Sequence, residues 1–135
     1  MVSTITIKLL DKPGEPKLNQ DIDWICKSLG FVTPRDMEET ASKIFCAVVM
    51  AMHEGKELTS QEIAARSNVS RGAALIHLQH YLESGLIVQK RTRYVLRRKS
   101  VAKTIEELET DVMRMLCDIK KMANEVDQKL GLQER

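Results

Sequence analysis

The stretch Leu58–Arg97, LTSQEIAARSNVSRGAALIHLQHYLESGLIVQKRTRYVLR, reads as two helices, a tight turn between them and a β-hairpin. Thr59 and Glu62 have the T-x-x-E spacing of a capping box, in which the hydroxyl accepts a backbone N–H three residues on and the carboxylate reaches back to the N-cap N–H. They open a short helix ending at Ser67, with Ile63, Ala64 and the flanking Leu58 facing inward. Asn68-Val69 forms the turn, Val69 plugs the angle between the helices, and Ser70 is a second N-cap. The second helix runs through Ala74, Leu75, Leu78, Tyr81 and Leu82 and stops at Ser84-Gly85, with glycine at the C′ position. Two helices joined by so short a turn make a helix-turn-helix. Leu86–Lys90 and Arg93–Arg97 are β-rich runs around Arg91-Thr92, a hairpin without the usual Asn-Gly or Gly-Gly turn. A helix-turn-helix followed directly by a basic hairpin is a winged helix.

The same forty residues resemble the DNA-binding core of prokaryotic winged-helix transcriptional regulators of the ArsR/MarR type, in their archaeal form. The resemblance rests on the EIA helix, the VSRGA turn, the HL…L…GLI run and the RYVLR strand. It implies a cytoplasmic, double-stranded-DNA-binding regulator with a recognition helix over about 70–84 in the major groove and a basic wing over about 86–97. The closely spaced cysteines of the ArsR metal box are absent from that helix, so metal sensing is not carried over.

The first turns of such a helix present outward side chains to base edges and phosphates. Ser70, Arg71, Gly72, Ala73 and His77 are the expected contacts there, with Ile76 and His80 further along. Arg71 reaches a phosphate or a guanine edge, whereas Gly72 and Ala73 permit close approach and carry little base information. Lys90, Arg91 and Arg93 at the wing tip meet phosphates or a minor groove. That tip is expected to be solvated, its charges packing against nothing. His77 and His80 stand at i, i+3 with no third ligand nearby, so no metal site is expected.

Charge is distributed unevenly around this unit. The whole chain has 21 Lys+Arg and 19 Asp+Glu, a formal +2 that by itself says little about partners. From Gly85 to Lys103, however, seven basic residues (Lys90, Arg91, Arg93, Arg97, Arg98, Lys99 and Lys103) occur without a carboxylate. From Glu106 onward, eight acidic residues outnumber five basic ones. The basic block is the expected electrostatic footprint on DNA.

Upstream, residues 2–9 alternate apolar and polar from Thr4, predicting a short strand that ends in Lys12-Pro13-Gly14-Glu15-Pro16. Asn19 is the expected cap of a helix with Ile22, Ile25, Cys26 and Leu29 on its apolar stripe and Gly30 as its stop. Trp24 lies off that stripe. Thr33-Pro34 opens the next helix, with Asp36 in its first turn and Met37, Ala41, Ile44, Phe45, Val48 and Met52 in the core, closing at Glu54-Gly55-Lys56.

From Thr104 to Leu130 no Pro or Gly intervenes, predicting one long helix. Ile105, Val112, Ile119 and Val126 fall at heptad a positions and Leu108, Met115 and Met122 at d, the pattern of a two-stranded coiled coil. Leu116, Ala123 and Leu130 at e widen the apolar face toward a third element. A helix of this length overhangs so small a core, so a homodimer through these residues is expected, doubling the DNA-contacting surface as paired half-sites require.

The fold class predicted is therefore mainly α: a winged helix-turn-helix with a β-hairpin wing, a short N-terminal strand and a long C-terminal dimerisation helix. Segment boundaries fall at 1–30, 31–100 and 101–135. With 43% hydrophobic residues in 135, a core can form. The longest uncharged apolar run, Ile44–Met52, falls short of the roughly 18–20 residues of a membrane span. No basic stretch with an apolar core and cleavage site marks the N-terminus for secretion. Cys26, Cys46 and Cys117 are too far apart and odd in number for a disulfide framework, and lie in or beside apolar stripes where inert buried thiols are usual. No Gly-rich phosphate loop, H-E-x-x-H or G-x-S-x-G points to an enzyme, and no cofactor or effector is indicated. Two other readings share the fold: a protein-interaction module of a transcription or chromatin assembly, and a sequence-tolerant architectural DNA binder. A basic wing tip argues for DNA, whereas an apolar one would argue for a protein partner.

Overall fold

A computed structural model describes residues 4–8, 10–12, 17–30 and 40–132. The chain is mainly helical, with helices α1 (Leu18–Ser28), α2 (Thr40–His53), α3 (Ser60–Ser67), α4 (Arg71–Ser84) and α5 (Val101–Leu130). Three short strands, β1 (Leu58–Thr59), β2 (Ile87–Lys90) and β3 (Arg93–Leu96), form an antiparallel sheet in the order β1-β3-β2.

Local chemistry sets most of these boundaries. Thr59 and Glu62 complete the capping box: the Glu62 N–H donates to Thr59 Oγ1 at 3.2 Å, and the Thr59 N–H donates to Glu62 Oε1 at 3.0 Å. Asn68 ends α3 in the left-handed region at φ 56°, one of the few non-glycine residues to tolerate it. Ser70 caps α4, its hydroxyl accepting the Ala73 N–H at 3.1 Å, and Gly85 ends that helix at φ 81°. Between β2 and β3, Arg91 is also left-handed, at φ 57°, and its carbonyl accepts the Gln89 amide at 2.9 Å. The hairpin register pairs Ile87 with Leu96 and Lys90 with Arg93.

One core joins these elements. Ile44, Phe45 and Val48 of α2 meet Ile63 of α3, Leu78 and Tyr81 of α4, and Leu86, Ile87 and Leu96 of the hairpin. The Tyr81 hydroxyl donates to the Ala41 carbonyl at 2.5 Å, tying α4 to α2, and its ring lies 5.5 Å from that of Phe45. Val69 packs partly buried against this core, as expected of a turn plug. Ile22 and Cys26 of α1 and Leu108 of α5 join the same core. Burial pushes the Cys26 thiol up to about 11.

Several expectations are corrected. The described residues of the 2–9 segment form no strand; Thr4 donates to the Glu83 carbonyl and Lys8 to the Ser28 carbonyl, two isolated bonds with no partner strand. That segment packs closely on Gly30, where a Cβ would lie 2.9 Å from Thr6 Cβ. α1 starts at Leu18 with Lys17 as an uncapped N-cap, so Asn19 sits inside the helix and its side-chain oxygen faces the Cys46 thiol. Leu58 and Thr59 form a strand rather than merely flanking α3, because they pair with Tyr94 and Arg93. The long helix begins at Val101, capped by the Ser100 hydroxyl, three residues earlier than expected. Cys117 is exposed and Cys46 half-buried, so only Cys26 is the buried thiol expected of all three. Thr33, Pro34, Asp36 and Met37 lie outside the described residues. Trp24 is half-buried, and its buried indole N–H has no partner among the described residues.

Candidate nucleic-acid interface

Helix α4 has a buried side and an outward side. Ala74, Leu78, Tyr81 and Ser84 turn into the protein, while Arg71, Gly72, Leu75, Ile76, Gln79 and His80 are exposed. Of the residues expected to face outward, Ser70, Arg71, Gly72, Ile76 and His80 do so. Ala73 and His77 are half-buried, because at 100° per residue they lie toward the Tyr81–Ser84 side. His77 sits with its ring edge-on to His80, the centroids 6.4 Å apart. Leu75, read from the sequence only as one of the apolar positions of this helix, is 40% exposed, beside Ile76 at 61%. Gln79 is an exposed amide that the sequence reading passed over, donating to Glu83 at 3.3 Å.

Gly72 stands out on this face. A Cβ built there would meet nothing within 4 Å. Glycine weakens a helix through its backbone entropy, and no packing among the described residues needs it here.

Most of the hairpin charges are engaged rather than free. Lys90 Nζ lies 3.5 Å from Glu57 Oε2. Arg93 donates to the Glu57 carbonyl at 2.8 Å and stands 3.8 Å from the Glu62 carboxylate. The Thr59 backbone N–H, with lesser help from Arg93, holds the Glu62 carboxyl below its usual range. Further along, Arg97 pairs with Asp111 and Glu107, and Arg98 pairs with Glu107. The Arg97 guanidinium holds the Asp111 carboxyl below its ordinary value. Among the described residues, Arg91, Lys99 and Lys103 are the members of the basic block without a carboxylate partner. The expectation that the tip's charges pack against nothing is thus corrected: Glu57 and Glu62, brought alongside by β1, face two of the three.

Helix α5 divides into a docked and a projecting part. Thr104 and Leu108 are buried, and Val101 and Ile105 pack partly buried on the core. Ile105 and Leu108, expected at a dimer seam, therefore serve the chain's own core. Val112 and Met115 are half-buried. From Leu116 to Leu130 every side chain is exposed, including Ile119 at 64%, Met122 at 60% and Val126 at 47%.

An open cleft of about 660 Å³ lies between α1, α2 and the α3–α4 turn. Within its lining Ser42 donates to Asp23 at 2.7 Å, and Asp23 and Arg66 also pair with Lys27 and Glu54, which lie outside the lining. Among the described residues no group of three His, Cys, Asp or Glu is placed to hold a metal ion, and no helix is long and apolar enough to cross a membrane. Comparison with protein-family models, with curated proteins and with solved structures finds no match to this chain.

Proposed function

We propose that this chain is a homodimeric, sequence-specific, double-stranded-DNA-binding transcriptional regulator of the cytoplasm, built on a winged helix-turn-helix. In this reading α3 and α4 are the helix pair, α4 lies in the major groove, and β2–β3 is the wing on the flanking backbone. The observation that carries it is the outward face of α4. It starts at a capped N-terminus with exposed Arg71, continues through a glycine whose missing side chain faces open space, and offers Gln79 and His80 beyond. Arginine and glutamine are the side chains that pair two-pronged with guanine and adenine edges. Arg91 and Lys99 supply charge without a carboxylate partner among the described residues. The second copy docks along the projecting part of α5, through Ile119, Met122, Val126 and their neighbours. Pairing two copies matches the two half-sites, about 34–36 Å apart, that dimeric helix-turn-helix proteins contact.

Selection of bound sites from random duplex DNA tests this. A motif with two related halves is the expected result. Retention of DNA without any enriched motif would instead favour the architectural reading. A second reading, a winged-helix protein-interaction module, is favoured by one observation: Lys90, Arg93, Arg97 and Arg98 are paired with carboxylates, which lowers the charge left for phosphates. No retention of DNA at all would put that reading first.

A further inference from the structure

Leu75 and Ile76 are two large aliphatic side chains exposed side by side on a helix that buries apolar residues on its other side. Gly72 precedes them by three and four residues, so it lies one turn below them on the same face. Single exposed leucines are ordinary. Here, however, three adjoining positions each work against the isolated chain: two expose apolar surface, and the third weakens the helix with no internal use for the space it leaves. An external surface that approaches closely at Gly72 and covers Leu75 and Ile76 accounts for all three together.

The size of the patch indicates the kind of surface. A stable protein interface takes roughly 20–30 residues a side, and the apolar stripe on projecting α5 extends over several helical turns toward that scale. Two aliphatic side chains set among Arg71, Gln79 and His80 do not. In a major groove the one apolar feature of a base edge is the C5-methyl group of thymine, flanked by donors and acceptors that arginine and glutamine match.

We propose that Leu75 and Ile76 are specificity-determining residues that contact thymine methyl groups, with Gly72 letting the helix sit close enough for them to reach. This rests on the DNA-binding reading above, and the experiment separates the two. In a site obtained by selection, each thymine is replaced in turn by deoxyuridine, which keeps the base pairing and lacks only the methyl group. Wild-type protein should lose affinity about three- to fourfold at one or two positions per half-site, as expected for one buried methyl. The double variant Leu75→Ala, Ile76→Ala should still bind but no longer distinguish thymine from uracil. Neither side chain belongs to the buried core and alanine is the better helix former, so its unfolding transition should stay close to that of the wild type. A selected site without thymine, or wild-type binding unchanged by every replacement, overturns the inference while leaving DNA binding intact. Failure to retain any duplex overturns the DNA reading itself, and this inference with it.

Discussion

Gly72 is where the requirements of fold and partner separate most clearly. A helix prefers alanine to glycine by about 0.8–1 kcal/mol, and none of the described residues fills the space beside Gly72. Gly72→Ala should therefore stabilise the protein by about 0.5–1 kcal/mol in denaturant unfolding. The same methyl group should weaken binding to a selected site by about 1–3 kcal/mol, the usual cost of overpacking a close contact. Opposite signs in the two measurements are the expected outcome; a stabilised variant with undiminished affinity would remove Gly72 from the interface. Asn68 and Arg91 show the converse case, in which the turn demands a left-handed backbone and the residue's side chain serves another purpose. Arg91 accepts roughly 1–2 kcal/mol of strain to stand at the hairpin tip.

At the scale of elements, the hairpin and the start of α5 are held by charge. Arg97 and Asp111 form a two-pronged pair in a partly buried setting, which joins the end of β3 to the third turn of α5. Because the folded state holds the Asp111 carboxyl below its unfolded value, the pair contributes fully above the ordinary aspartate range, about 3.9. That contribution fades as pH falls through the lowered value. Asp111→Asn should cost about 1–2 kcal/mol at neutral pH and flatten the acid limb of a stability-against-pH curve measured by chemical unfolding. A variant as acid-sensitive as the wild type would show that other carboxylates govern that limb. The hairpin tip follows the same logic with solvent as competitor. Each phosphate neutralised on a duplex contributes about −0.9 to the slope of log K against log salt. Arg91→Ala should flatten that slope by about 0.9 per protomer. Removing Lys90, Arg91 and Arg93 together should flatten it by about 1–2 rather than the full sum, since Glu57 and Glu62 already face two of them. An unchanged slope in the folded triple variant would mean the hairpin does not touch DNA.

For the whole molecule, the question is what the projecting part of α5 does. The helix is 30 residues, about 45 Å, and only its first third touches the core. Ile119→Glu with Val126→Glu places charge on the apolar stripe at positions remote from that core. Sedimentation should show monomers, the unfolding of the core should be unchanged, and affinity for a two-half site should fall toward that of one half. An intact dimer in this variant would place the interface elsewhere. The pair is a cleaner test than one including Val112, which is half-buried against its own chain.

Signals confined to a few residues were legible without the fold. The capping box at Thr59 and Glu62, the cap at Ser70, the stop at Gly85 and the strand pair around Arg91-Thr92 each depend on bonds between residues at most a turn or a hairpin apart, and the order of residue types states them. The tertiary structure decided everything that depends on who arrives from elsewhere. β1 is two residues long, carries no periodicity, and exists only because β3 lies beside it. The carboxylates that face Lys90 and Arg93 come from Glu57 and Glu62, about thirty residues earlier in the chain. His77, expected to face outward, is half-buried while Leu75 is exposed, because successive helix positions differ by 100° and only packing against α2 and the hairpin sets the rotation of α4. Along α5 the apolar stripe is chemically continuous, so composition cannot say where it stops serving its own core. That boundary, between Leu108 and Ile119, is set by where the core ends.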